Sequence, residues 1–258
     1  VCGNNVTNMY TTYVNCFNLN GSPVCGNNVI NMIRAYQYCN KITGSPVCGD
    51  KIVSMSNVYE NCQNLTGSPI CGNNVTNMYY AYINCRNLNG SPVCGNNVTC
   101  MIGTYINCRK LSGSPVCGDN VTSMHAAYWH CININGSPVC GNNVTNMLAA
   151  YYNCTNLTGI PVCGNKVTTM GNAYANCINL SAGNQYWYSK SVLNVLNCFY
   201  NKNNSRQYNI HCYANSTTFN TLLINNTQSL VGANITWTNA GTYYYNTTYN
   251  IYIYPDLT

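Results

Sequence analysis

The sequence predicts an α/β repeat solenoid closed by a C-terminal α+β cap, and three observations carry that expectation. A 23-residue unit recurs eight times without insertion or deletion, beginning at Val1, Val24, Val47, Ile70, Val93, Val116, Val139 and Val162. Within each unit the apolar residues follow a helical spacing. Each unit then passes through Gly and Pro into a short Val-Cys stretch. A fixed period of this length signals stacked units that complete one another's core, because no single unit can bury its apolar face alone.

In the first unit Val6, Met9, Tyr13 and Cys16 stand at i, i+3, i+7 and i+10, which is one face of an α-helix. Asn4 or Asn5 supplies an N-cap side chain, and the first of these becomes Asp50 and Asp119 in the third and sixth units. The helix is expected to end near Asn18, before Leu19 and Gly21. Ser22-Pro23-Val24-Cys25 then reads as extended, since proline has no N–H and biases its predecessor toward the β region. Short parallel strands on one side and helical segments on the other, convex side follow as the expectation. Stacking would place each position over its own copy, with Met9 over Met32 and Tyr13 over Tyr36.

The run Val-Thr-Asn-Met-x-x-Ala-Tyr-x-x-Cys-x-x-Leu, as in Val75 to Leu88 and Val144 to Leu157, resembles the BspA-like leucine-rich repeats of bacterial and protist surface proteins. The likeness covers residues 1 to about 184. It departs from the family pattern in Tyr for the usual Phe, and in Gly-Ser-Pro-Val-Cys-Gly for a longer Leu-rich strand segment. The resemblance implies a leucine-rich-repeat-like solenoid with a surface-exposed adhesion or recognition role, and it brings no catalytic motif.

The chain is cysteine-rich, with 19 cysteines. Sixteen form two ladders, one from Cys2, Cys25, Cys48 and Cys71 onward and one from Cys16, Cys39, Cys62 and Cys85 onward; Cys100, Cys198 and Cys212 are extra. A one-to-one ratio of ladders is compatible with a disulfide rung in every unit. Buried thiols are the plainer reading, because free Cys packs as a small hydrophobe and Cys16 already lies on the apolar face. Metal binding has the least support: no Cys-x-x-Cys occurs, and His125, His130 and His211 share no spacing.

Positions 10, 14 and 17 of the repeat vary most between copies, and their large members include Tyr79, Trp129 and Tyr152. They line either a binding stripe or the contact between neighbouring helices. Position 11 is expected to point further outward, which makes Arg34 and Tyr80 candidate contacts. The Asn and Thr rows read as turn, cap and inter-unit hydrogen-bonding groups. A threonine row could order water as ice-binding solenoids do, but Ile30 and Val53 interrupt it. Asn-x-Ser/Thr triplets are frequent and follow from composition; they matter only in a eukaryotic secretory pathway.

Beyond residue 184 the register breaks. Residues 185–212 read as a ninth, degenerate unit in which Val192, Val195 and Phe199 keep the Val, Met and Tyr spacing, with a strand at Tyr208 to Cys212. A short helix at 216–223 and strands at 235–237 and 249–254, joined through Asn239-Ala240-Gly241, complete a cap over 185–258. Trp187, Tyr243, Tyr244 and Tyr245 in this cap are the remaining candidate contacts, since such side chains bind glycans and proteins well.

Charge and chemistry narrow the function. Only 5% of residues are charged, and the net +6 is too dispersed for a nucleic-acid footprint. The carboxylates are Asp50, Glu60, Asp119 and Asp256, which converge on no acid/base pair, and His130 adjoins only a ladder cysteine, Cys131. The sequence therefore predicts a non-enzymatic module with no cofactor, recognising a protein or glycan on another surface, on a cell surface or a virion or phage appendage. The alternative is a fibre or shell component whose solenoid spaces or staples other subunits by self-association. No signal peptide or 18-residue apolar run is present. The chain opens in mid-register without an initiator methionine, as a fragment of a longer extracellular protein would.

Overall fold

A computed structural model describes residues 3, 5–159, 161–162, 164, 166–180, 185–189, 196–200, 210–214, 238–241, 244–246 and 251–255. Successive 23-residue units lie side by side in parallel. Isolated parallel bridges join position 8 of each unit to position 8 of the next, from Asn8 with Asn31 through to Asn146 with Thr169. Each unit is thus one coil, in register with its neighbours.

The helix expected over positions 6 to 16 is corrected to a run of turns, and the described residues contain no α-helix. Positions 11 and 15 of every coil are left-handed, with φ between 52° and 63° for residues such as Arg34, Tyr80, Gly103, Asn61 and His130. An α-helix requires negative φ throughout. The left-handed residues turn alternate N–H groups out of the coil. Tyr13 donates to the Ala35 carbonyl at 2.8 Å and Asn15 to Gln37 at 2.9 Å, in the next coil. The residues between bond within their own coil, Thr12 to Met9 at 3.2 Å and Cys16 to Tyr13 at 3.1 Å. Helix and turn run share the i, i+3, i+7 spacing, so the apolar pattern alone does not separate them. Inter-coil bonding decides, because a helix would spend all its donors internally.

Asparagine fills position 15 in six of the eight coils, where its short polar side chain tolerates the left-handed region. With no helix to cap, the Asn at position 5 acts between coils. Asn74, Asn97 and Asn120 donate Nδ2 to the backbone carbonyls of Asp50, Asn73 and Asn96, at 2.8 Å each.

The expected strand site is also corrected. Among described residues the Ser-Pro-Val-Cys stretch bridges only at Val139 with Val162. The recurrent parallel contact is at Thr-Asn-Met, where Thr76 donates its N–H to Val53 at 2.9 Å and Thr99 to Thr76 at 2.8 Å. Proline has no N–H to give. Pro23, Pro46 and their copies are buried instead.

The core is a set of parallel ladders. From coil 2 onward, Val or Ile at position 6, Met at 9, Tyr at 13, Cys at 16 and Leu or Ile at 19 are buried. The tyrosine rings stack face to face with centroids 5.1 to 5.6 Å apart, from Tyr13 to Tyr174. Phe199 extends the stack over Tyr174 at 5.4 Å. Asn172, Tyr174 and Asn176 donate their N–H groups to Leu196, Cys198 and Tyr200, as one coil does to the next.

Each buried hydroxyl reaches across its own coil. Tyr36 donates to the Val24 carbonyl at 2.6 Å and accepts from the Val24 N–H at 3.0 Å. Tyr59 with Val47, Tyr82 with Ile70 and Tyr128 with Val116 repeat the pair. This bond explains Tyr where Phe would supply the same ring.

In the C-terminal region five strands form one mixed sheet: β1 (Gln185–Ser189), β2 (Ile210–Ala214), β3 (Thr238–Asn239), β4 (Tyr244–Asn246) and β5 (Ile251–Pro255). Their order is β1-β2-β5-β4-β3; β1, β2 and β5 run parallel, with β4 and β3 antiparallel beside them. The Asn239-Ala240-Gly241 turn therefore leads from β3 toward β4 rather than joining the two strands expected. Gly241 has φ +90° and donates to Asn239 Oδ1 at 2.8 Å. Cys2, Val192, Val195, the 181–184 turn, the 216–223 helix and the 235–237 strand lie outside the described residues.

Two stability outcomes follow from the packing. Tyr82→Phe leaves the Ile70 N–H and C=O without their partner and is expected to cost about 2 kcal/mol in denaturant unfolding. Ala126→Gly relieves a left-handed alanine and is expected to stabilise by roughly 0.5–1 kcal/mol, whereas Gly103→Ala, whose Cβ would meet the Tyr80 ring at the same repeat position, destabilises.

Candidate functional site

The outer surface of the coils carries the positions where copies differ. At position 10 Tyr79 is 36% exposed, and at position 14 Trp129 is 41% exposed. Tyr79 packs on Tyr80 with centroids 4.2 Å apart, and Trp129 meets Tyr152 of the next coil edge-on at 5.4 Å. These aromatic pairs stand on coil 4 and on coils 6 and 7. Between them coil 5 presents the half-buried Ile102 and Ile106 and the buried Gly103. The stack holds all of them on a hydrogen-bonded backbone.

Position 11 behaves differently from the expectation. Arg34 is exposed, but Tyr80 is half-buried and Asn57, Gly103, Ala126 and Ala149 are buried. The left-handed conformation there folds the side chain along the neighbouring coil, so Tyr80 lies against Gly103 instead of pointing outward. Arg34 thus belongs to the accessible surface, and Tyr80 chiefly supports Tyr79. Trp187 lies in β1, paired in register with Cys212, and Tyr244 and Tyr245 lie in β4. Tyr243 is outside the described residues.

Glu60 knots coils 2 and 3 on this surface. Its carboxylate accepts from Gln37 Nε2 at 2.6 Å, Asn57 Nδ2 at 2.7 Å, Tyr38 Oη at 3.1 Å and Asn61 Nδ2 at 3.4 Å. The negative charge beside it raises the Tyr38 phenol above its ordinary value. With four donors engaged, this carboxylate ties coils 2 and 3 together.

In the two ladders Cys16, Cys39, Cys48, Cys62, Cys71, Cys85, Cys94, Cys108, Cys117, Cys131, Cys154 and Cys177 are free thiols. Those at position 16 carry a role that residue spacing did not reveal. Cys62 donates its S–H to the Tyr36 carbonyl of the previous coil at 3.0 Å, and Cys85, Cys108 and Cys131 repeat the bond to Tyr59, Tyr82 and Tyr105. The same Tyr36 carbonyl accepts the Cys39 N–H at 3.1 Å, so both of its lone pairs are used. At position 2, Cys48 accepts from the Gly72 N–H at 3.3 Å. Burial pushes the thiols up, Cys39 and Cys48 to about 11 and Cys71, Cys117 and Cys154 to about 12.

Cys131, beside His130, is buried and bonded to Tyr105, and burial raises it well above its ordinary value, opposite to the need of a nucleophile. The His130 ring pairs with the Asn153 side chain, and burial followed by Arg109 lowers its affinity for a proton. The Asn and Thr rows, whose residue types indicate turn and inter-unit hydrogen bonding, also form an accessible surface. Ile30, Val53, Thr76 and Thr99 at position 7, with Lys51, Asn74, Asn97 and Asn120 at position 5, line an open groove running across the coils. The Asn-x-Thr triplets at Asn74, Asn97 and Asn120 are its sequence signal.

No family model matches the chain, and neither a curated protein nor a solved structure is similar to it at a significant level. No helix of the described residues is long and apolar enough to cross a membrane.

The raised thiols fix a pH dependence. A thiol whose folded value lies above the ordinary 9.0 stabilises the fold fully below pH 9, and the contribution is lost as pH rises through the folded value near 11 to 12. Circular dichroism across pH is expected to show loss of structure on the alkaline side between pH 9 and about 12. At pH 8 a thiol reagent is expected to leave Cys62, Cys85 and Cys131 unlabelled until denaturant is added, with the part-exposed Cys100 reacting first.

Proposed function

We propose that the chain is a non-enzymatic recognition or adhesion module, a capped repeat solenoid displayed on a cell surface or a virion or phage appendage, binding a protein or glycan through its outer side chains. One observation carries the reading: the exposed rings of Tyr79 and Trp129, backed by the half-buried Tyr80 and Tyr152, fall in positions where the copies disagree, while the shared positions are occupied by core and hydrogen bonding. Aromatic side chains present large contact area at little entropic cost and dominate binding energy at recognition surfaces. Their rigid backing further lowers the cost of association. The weakly charged surface favours ring stacking and amide hydrogen bonds over ionic capture.

Binding of the chain to arrays of glycans and host-surface proteins tests this directly. Trp129→Ala and Tyr79→Ala are expected to weaken the interaction roughly tenfold or more without moving the thermal midpoint by much, and affinity is expected to change little between low and physiological salt. A fibre or shell component would instead self-associate at micromolar concentration with no ligand added. A steep salt dependence, or full binding by both alanine variants, overturns the recognition surface described here.

A further inference from the structure

Building on the recognition reading, we propose that the groove between repeat positions 5 and 7 is a binding track for a linear, uncharged, β-linked polysaccharide lying across the coils. The hydrogen-bonding polarity of the groove is the first reason. Asn74, Asn97 and Asn120 each give an Nδ2 proton to a backbone carbonyl of the preceding coil, which leaves the Oδ1 atoms without a partner among the described residues. Thr76, Thr99 and Thr122 give their hydroxyl protons to the carbonyls of Val53, Thr76 and Thr99 at 3.1 to 3.2 Å. The Thr hydroxyls have therefore spent their protons and the Asn side chains one of two, so both rows offer acceptor oxygens to solvent. A ligand that pairs with them must supply a regular series of donors, as sugar hydroxyls do.

Charge narrows the ligand further. Of the residues lining the groove Lys51 alone is charged, and its Nζ is engaged at 2.7 Å with Asn28 Oδ1. One ammonium is too little to compensate an anionic chain running across the coils, and the lining holds no carboxylate for a polycation. Ile30 and Val53, 50% and 45% exposed, supply apolar surface at one end for the C–H faces of sugar rings.

Spacing decides between a glycan and an extended peptide. The coils repeat every 5.1 to 5.6 Å at the tyrosine stack, and a hydrogen-bonded parallel ladder such as that at position 7 spaces them by roughly 4.8 Å. An extended β-1,4-linked hexose chain advances by nearly this length per sugar with successive rings turned over, so like-facing sugars meet the same Asn and Thr rows at every second coil. Like-facing residues of an extended peptide recur only every roughly 6.6 Å and fall out of step within two coils.

The chain itself supplies suitable variants. Valine already stands at position 7 as Val53 and lysine at position 5 as Lys51, so Thr99→Val and Asn97→Lys are accommodated by the fold. The first removes one acceptor. The second places an ammonium against Asn74 Oδ1, as Lys51 does with Asn28.

Isothermal titration of the full chain with cellohexaose, cellobiose and the α-linked isomer maltohexaose tests the track. The expected result is measurable affinity for cellohexaose, at least tenfold weaker binding of cellobiose and maltohexaose, and at least a tenfold loss for the Asn97→Lys/Thr99→Val double variant with an unchanged circular dichroism spectrum. Trp129→Ala is expected to leave cellohexaose binding intact. Equal affinity for the α- and β-linked hexamers, no binding of either, or an unaffected double variant overturns the track. If binding to surface arrays persists but is abolished only by Trp129→Ala, the recognition reading stands and the groove is not its site. If neither cellohexaose nor any array component binds, both fall.

Discussion

The hydroxyl of the buried tyrosine is the interaction on which the coil depends. It joins the turn run, at position 13, to the Pro-Val-Cys segment of the same coil, giving a proton to one backbone carbonyl and taking one from the N–H of the same residue. Without it two part-buried polar backbone groups would lose their partner, at up to about 1–3 kcal/mol each. The ring that carries the hydroxyl also sets the spacing between coils, through stacking at 5.1 to 5.6 Å. One side chain thus closes each coil and stacks it on the next. The thiol at position 16 completes the link by taking the second lone pair of the tyrosine's own carbonyl from the following coil.

Close stacking imposes requirements elsewhere. At position 3 a Cβ on Gly141 would lie 2.6 Å from the Gly118 carbonyl oxygen, so glycine is required where the backbones approach. The alternating turns need left-handed residues at positions 11 and 15, at a cost of about 1–2 kcal/mol for an ordinary side chain. Bonds between coils offset that cost, and asparagine at position 15 lowers it. Positions 10 and 14 carry no comparable backbone constraint, which leaves them free to vary and places Tyr79 and Trp129 on the surface.

The period and the identity of the core positions were legible in the sequence, because any stacked arrangement buries Val, Met, Tyr, Cys and Leu at these spacings. Turns and helix were not separable on that pattern. The signal that distinguishes them is Asn at position 15, yet Thr11, Arg34 and Tyr80 adopt the same left-handed geometry at position 11 with no residue preference to announce it. The strand was sought beside proline, whereas the bridges recur at Asn8 and its copies, where donors are free. On the surface Arg34 was readable as accessible, whereas the spacing of Tyr79 and Trp129 fitted a surface stripe and a contact between neighbouring helices equally well. Tyr80 was not readable, since its direction follows from a backbone conformation. The acceptor rows of Asn97 and Thr99 stayed hidden because only the hydrogen-bond directions reveal which atoms remain unpaired.

The low charge of the chain follows from the same geometry. Stacking in register sets each side chain about one coil spacing from its own copy, and two like charges about 5 Å apart repel by roughly 0.8 kcal/mol even in water. A charged residue repeated through eight coils would accumulate that penalty at every step. The charges present avoid it: Lys41, Lys51 and Lys166 each bond to an Asn amide oxygen in the preceding coil, and Glu60 is surrounded by amides and a phenol. Arg86 and Arg109 share position 17 in adjacent coils, and both are exposed to full screening. A regular surface built under this constraint has to be made of Asn, Thr, Ser and Tyr. Its binding chemistry is then confined to hydroxyl and amide hydrogen bonds and ring contact, in which a neutral polyhydroxylated ligand competes better than an ionic one.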